Sequence, residues 1–124
     1  MARILLIEDA EILRSSLREM LEHYGHDVTE AADGNEGERL LMEGSYDLGI
    51  FDVWLPGRNG LTLLNGVKKH LDEMPVIMIT GGGPKASIEI TETLAKLHGA
   101  AEILFKPFEN EEMLAAIDRL LRKD

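Results

Sequence analysis

The chain has 124 residues, 23 of them acidic and 13 basic, for a formal net charge of −10, and 44% of its residues are hydrophobic. That length suits one compact domain with enough apolar material for a core, and the absence of cysteine excludes a disulfide framework, thiol chemistry and a cysteine zinc site. So acidic a protein is repelled by phosphate backbones and anionic lipid, which makes nucleic acid and membrane surfaces poor partners.

Ile4 to Ile7 is a continuous apolar run, the pattern of a strand buried on both faces. Glu8 and Asp9 cut it off after four residues, too short for a signal-peptide core. No apolar run approaches the ~20 residues that span a bilayer, so a cytoplasmic location is expected. A helical stripe follows at Leu13, Leu17, Met20, Leu21 and Tyr24, closed by Gly25. Asp27 to Ala31 reads as a second, weaker strand, Asp33-Gly34-Asn35 as a turn, and about Asn35 to Met42 as a helix ended by Gly44. Leu48 to Phe51 is the third strand, ending at Asp52. The segment from Leu55 through Pro56, Gly57, Arg58 and Asn59 to Gly60 has loop chemistry, and Leu61 to His70 is helical. Pro75 introduces Val76 to Ile79, the clearest strand, since a proline suits a strand's first position. After Thr80 and the loop Gly81-Gly82-Gly83-Pro84 comes a helix carrying Ile90, Leu94 and Leu97, ended by Gly99. Ile103 to Phe105 forms the last strand, and Met113, Leu114, Ile117, Leu120 and Leu121 stripe the last helix.

Strand and helix thus alternate five times, an α/β pattern over residues 1–124 as one domain. Parallel strands with intervening helices need right-handed crossovers, which gives a doubly wound, five-stranded parallel sheet with helices on both faces. Ligands in such folds bind beyond the carboxyl ends of the strands. Glu8, Asp9, Asp52, Thr80 and Lys106 each stand just past a predicted strand end, so residues far apart in sequence converge on one edge of the sheet.

Three carboxylates in one cleft repel each other by on the order of 4 kcal/mol per close pair at 4 Å and an effective dielectric of about 20. A divalent cation relieves this, and hard oxygen ligands with room for water favour Mg²⁺. The competing explanation for Glu8-Asp9 is a cap on the first helix, where acids meet the positive end of the dipole. Adding Asp52 shifts the balance to the metal. Asp52, at the junction of a buried strand and a loop, is suited to act as a nucleophile that becomes an aspartyl-phosphate. Lys106 adds a compact positive charge, Thr80 a hydroxyl and Gly81 an unobstructed N–H, all suited to phosphoryl oxygens. Singly, Lys106 could be a surface lysine and Thr80 a helix cap.

Taken together, Ile4 to Asp9, Asp52 to Gly60, Ile79-Thr80-Gly81 and Phe105-Lys106-Pro107-Phe108 make the chain resemble the receiver domains of two-component response regulators, single-domain chemotaxis regulators included. The resemblance runs over essentially the whole chain and implies a flavodoxin-like fold. It implies that Asp52 accepts a phosphoryl group from a sensor histidine kinase or a histidine phosphotransfer protein and thereby switches binding to a downstream protein target. It further implies that Glu8 and Asp9 organise Mg²⁺ with Asp52 and the backbone carbonyl of Trp54, that Lys106 pairs with the phosphoryl group, and that Thr80 moves to hydrogen-bond it. Such a domain assists its own phosphorylation and dephosphorylation but is not an enzyme in the ordinary sense. One departure stands out: receiver domains usually carry Tyr or Phe three residues before the lysine, and here Ile103 occupies that place. A branched aliphatic cannot swing a ring between exposed and buried positions, and Phe105 lies on the opposite strand face from Lys106.

Several further readings concern surfaces and alternatives. Ile12 falls off the stripe of the first helix beside the acids, and with Arg14 and Pro107 it is a candidate contact for kinase helices. Ile88 is a weaker candidate for output. Gly81 to Ser87 fails as a nucleotide loop, because Pro84 precedes Lys85 and Ala86 separates it from Ser87. His23, His26, His70 and His98 have no ligand spacing and read as surface or helix-end residues. Glu22, Glu36, Glu38, Glu43, Glu111 and Glu112 read as solvated surface. The chain reads as a switch without its own output domain, with a domain cut from a larger regulator looking identical. A haloacid-dehalogenase-type phosphatase would need a second Asp where Trp54 stands, and Glu8-Asp9 would repel a flavin phosphate. A receiver-like scaffold signalling without phosphate is the remaining alternative.

Overall fold

A computed structural model describes residues 2–56, 60–70, 74–81 and 99–122, with side chains described to residue 66 within the second of these spans that opens at Gly60. The predicted helix through Ile90, Leu94 and Leu97 lies outside the described residues, as do Gly57 to Asn59, Gly82 to Ser87, Ile88 and His98. The elements are β1 (Arg3–Ile7), α1 (Glu11–His23), β2 (Asp27–Ala31), α2 (Gly34–Glu43), β3 (Leu48–Asp52), α3 (Gly60–His70), β4 (Val76–Thr80), β5 (Glu102–Phe105) and α4 (Asn110–Leu121).

The strands form one parallel sheet in the order β2-β1-β3-β4-β5. Period-two alternation divides their side chains between two cores. Leu5, Ile7, Phe51, Val53, Val76 and Met78 point to the face covered by Leu41 of α2 and Leu63 and Leu64 of α3. Ile4, Leu6, Leu48, Ile50, Ile77 and Ile79 point to the other, under Leu17 and Leu21 of α1 and Met113, Ala116 and Ile117 of α4. Burial on both faces explains why β1, β3 and β4 read as unbroken apolar runs rather than alternating ones. Every residue of β3 and β4 is buried, whereas β5, at the edge of the sheet, is half-buried throughout.

The helix boundaries show local chemistry. At α2, Asp33 is the N-cap and accepts from the Glu36 N–H at 2.8 Å, while Glu36 Oε1 accepts from the Ala32 N–H at 2.9 Å. At α4 a capping box joins Glu109 and Glu112. Glu36 and Glu112 are therefore structural caps rather than idle surface charge, and Asp33-Gly34-Asn35 is a helix start rather than a free turn. Gly25 takes φ 90° just past α1, where a residue with Cβ would be strained. Tyr24 does not belong to the buried stripe: it follows the helix as its C-cap and is exposed, its ring set edge-on to His23. His26 is half-buried rather than a surface residue, and its Nδ1 accepts from the Ala2 N–H at 3.2 Å.

Candidate functional site

The sheet order reverses between β1 and β3, which are neighbours on either side of the switch point. Their carboxyl ends carry Glu8 and Asp9, immediately after β1, and Asp52, the last residue of β3. Thr80 ends β4, and Lys106 follows β5, where its N–H donates to the Thr80 carbonyl at 2.8 Å. The five side chains expected to converge are thus placed along one edge by the strands that precede them.

Burial sorts them. Glu8 and Thr80 are wholly buried and Asp52 is 3% exposed, whereas Asp9 faces solvent. Lys106 reaches in from the edge strand with its side chain 26% exposed, placing Nζ 2.9 Å from Asp52 Oδ2 and 2.7 Å from Glu8 Oε1. The first contact is a hydrogen bond; the second is a charge contact too poorly angled to be one, so buried Glu8 Oε1 has no hydrogen-bond donor among the described residues. Glu8 Oε2 accepts from the Ala10 N–H at 2.8 Å, and Asp52 Oδ1 accepts from the Trp54 N–H at 3.1 Å. These N–H donors set the carboxylate planes before any ligand arrives.

Carboxylate oxygens of Glu8, Asp9 and Asp52 lie within 4.8 Å of one another. One ammonium against three carboxylates leaves two uncompensated negative charges if all ionise. Hard oxygen donors, a buried oxygen without a donor and an excess charge of two fit a hard divalent cation. Neither Glu8 nor Asp9 is the N-cap of α1, which is Ala10 with no side-chain cap, although Glu8 Oε2 holds the N–H of that residue. Trp54, 42% exposed, stands beside this cluster, and a Cβ at Gly81 would meet nothing within 4 Å, so the space beside the Gly81 backbone is open.

The charges perturb one another. Burial alone would push the Lys106 ammonium down, but its close contacts with Glu8 and Asp52 and their negative charges together hold it above its usual range, so it stays cationic. The Asp9 carboxyl is pushed up by burial, by close contact with Glu8 and by the negative charge of Glu8. A raised carboxyl value means the folded state binds the proton more tightly, so this contribution to stability is present below 3.8 and lost as pH rises through the folded value. Asp9→Asn should therefore raise the melting temperature at neutral pH without divalent cation by about 1–3 °C, a small gain because Asp9 is exposed. Melting curves should show the gain vanish below pH 3.8.

Sequence reasoning missed one participant and misplaced it. The sequence places Arg14 beside Ile12 in a candidate kinase contact, but its side chain is only 17% exposed and turns inward, with Nη1 donating to the Glu8 carbonyl at 2.9 Å. An arginine six residues after the acidic turn, one helical turn into α1, was the available signal. Ile12 itself is 87% exposed, as expected, and Pro107 is exposed too; the Lys106–Pro107 peptide is cis.

Comparison with known proteins agrees with this geometry. The model of the response regulator receiver domain matches residues 4–118. The chain is 38% identical over 122 residues to the uncharacterised transcriptional regulatory protein YkoG of Bacillus subtilis, covering 98% of this chain and 51% of that protein. It spans about half the length of the curated relatives it matches. Among solved structures it superimposes on a receiver domain from Clostridium thermocellum with TM-score 0.88 at 32% identity, covering 98% of this chain and 94% of that one. The chemotaxis protein CheY4 of Vibrio cholerae gives TM-score 0.86 at 29% identity, with 98% and 99% covered. With the doubly wound sheet and an acidic cluster at its switch point, the chain belongs to the response regulator receiver domain family, a family of signalling domains of two-component systems rather than of ordinary enzymes.

Proposed function

We propose that this receiver domain works as a Mg²⁺-dependent phosphoacceptor, with Asp52 as the residue modified. The observation that carries the proposal is the pairing of a nearly buried Asp52 with Lys106 Nζ at 2.9 Å beside two further carboxylates. A carboxylate oxygen of Asp52 forms the new O–P bond as the P–N bond of a phosphohistidine donor breaks, and the donor imidazole keeps the electron pair. Lys106 shifts its hydrogen bond from Asp52 to a phosphoryl oxygen. The Thr80 hydroxyl and the Gly81 N–H take the others. Glu8, Asp9, Asp52 and the Trp54 carbonyl would hold Mg²⁺, which supplies neutralising charge for the phosphoryl oxygens when bound. The same groups serve hydrolysis of the acyl phosphate, so the domain assists both its own phosphorylation and its dephosphorylation.

The donors in this reading are a sensor histidine kinase or a histidine phosphotransfer protein, and the output is a changed affinity for a downstream protein target. Residues 1–124 act as one receiver unit, in the cytoplasm. Among the described residues no helix is long and apolar enough to cross a membrane. Relatives named transcriptional regulatory proteins are about twice this length, and the acidic span here is assigned protein contacts rather than nucleic acid.

Intact-mass analysis after treatment with Mg²⁺ and a small phosphodonor should show one phosphoryl adduct on the native chain and none on Asp52→Asn. An unmodified native chain after both small-donor and kinase treatment would exclude the phosphoacceptor reading and favour a scaffold role. In the same assay Ile12→Glu should slow transfer from a kinase about tenfold while leaving the small-donor rate unchanged, as befits an exposed anchor at a protein contact. Equal slowing with both donors would remove Ile12 from the docking surface.

A further inference from the structure

Arg14 touches none of the reacting atoms, yet it ties the acidic turn to two other elements. Its Nη1 donates to the backbone carbonyl of Glu8 at 2.9 Å and its Nε to Glu30 Oε1 on β2 at 3.2 Å. The second oxygen of Glu30 accepts from Arg18 Nη1 at 2.6 Å, one turn further along α1. The Arg14 and Glu30 side chains are 17% and 24% exposed, which distinguishes them from the solvated ion pairs elsewhere on the surface.

The turn needs such support. With Ala10 as N-cap, α1 begins without a capping side chain on its N-cap residue. The Glu8 N–H donates to the Ala31 carbonyl at 3.1 Å, Glu8 Oε2 holds the Ala10 N–H, and Arg14 takes the remaining polar group of the peptide, the Glu8 carbonyl. A guanidinium offers its donors in a fixed plane, so gripping Glu30 with Nε sets where Nη1 can lie.

We infer that Arg14, oriented by Glu30, is a positioning residue that holds the Glu8–Asp9 turn at the separation from Asp52 needed to bind a divalent cation. The inference rests on the cation-binding reading of the site. Its sign is informative, because Arg14 is also a positive charge near the carboxylates. As a charge alone it opposes a cation, so deleting it would tighten binding; as a brace it favours the cation, so deleting it weakens binding.

The test is Mn²⁺ binding, read as loss of the free-ion paramagnetic resonance signal, with no phosphodonor present. Arg14→Met should weaken Mn²⁺ binding about tenfold, the scale expected when a partner behind the ligands is lost. Arg14→Lys keeps the charge and stem but cannot form the fork, and should weaken binding by a similar factor. If Arg14→Met does not fold in a melting experiment, the lysine variant decides alone. Wild-type affinity in Arg14→Lys, or tighter binding in Arg14→Met, would overturn the positioning role. A native chain that binds no Mn²⁺, or an Asp9→Asn chain that binds it as well as the native one, would instead show that the cation-site reading has failed, and the inference with it.

Discussion

Lys106→Met should lower the free energy of unfolding by about 2–3 kcal/mol at neutral pH without divalent cation, measured by urea denaturation. Removing one partner of a fully buried ion pair costs about 3–5 kcal/mol, because the surviving charge is left without compensation. Lys106 serves two buried carboxylates, Glu8 and Asp52, but its own side chain is 26% exposed, so water recovers part of that loss. The pH dependence has a fixed direction. The ammonium is held above its usual 10.5, so its contribution is complete below 10.5 and is lost only as pH rises through the higher folded value. Native and variant curves should therefore run apart across the neutral range and converge in strong alkali. Mg²⁺ should restore much of the variant's stability by binding the folded state more tightly than it binds the native protein. Phosphorylation of the variant by a small donor should nevertheless be slow, since nothing replaces the ammonium on the phosphoryl group. A variant as stable as the native chain would mean that the two carboxylates are compensated from elsewhere.

Gly60→Ala should be comparably damaging, at about 1–3 kcal/mol or more, for a steric reason. A Cβ at this position would stand 2.1 Å from the Asp52 carbonyl oxygen and 2.9 Å from both the Asp52 carbonyl carbon and Met78 Cε. Backbone cannot yield as a side-chain terminus can, so either α3 or the main chain of Asp52 must move. Because Asp52 is the proposed phosphoacceptor, the phosphorylation rate should fall together with stability. Gly66 of the same helix provides the control. A Cβ there would meet nothing within 4 Å, so Gly66→Ala should stabilise the protein by about 0.5–1 kcal/mol through helix propensity. If both alanines stabilise, contact with Asp52 is not what keeps Gly60 a glycine.

The sequence made the fold legible wherever burial alone sets the pattern. Apolar runs at Ile4–Ile7, Leu48–Phe51 and Val76–Ile79 are strands because both their faces are covered, and each ends at its polar residue or one short of it. The sides on which Glu8, Asp52, Thr80 and Lys106 gather followed from the parallel topology. What stayed hidden depends on direction rather than on burial. Arg14 sits near an exposed Ile12 in sequence, and only the inward turn of its side chain separates a brace from a docking residue. Glu36 and Glu112 look like neighbouring surface acids, and the glycine turn signal at Gly34 masks the Asp33–Glu36 spacing that marks a helix start. Gly60 reads as loop chemistry, since nothing in a sequence shows which carbonyl will approach it. Tyr24 kept the helical spacing of the stripe by one residue too many, because periodicity continues on paper after the helix has stopped.

The contrast between β3 and β5 has a mechanical consequence. Asp52 is anchored in a strand with all five residues buried between neighbours on each side, whereas its counter-charge hangs from a half-buried strand paired along one side only. Replacing one electrostatic bond by another at Asp52 therefore pushes against an anvil on one side and a cantilever on the other. The anvil would hold the proposed phosphoacceptor carboxylate still. A displacement set by that exchange would act on the edge of the sheet, where β5 is half-buried and where Ile103, lacking a ring to flip, would move only as its strand moves.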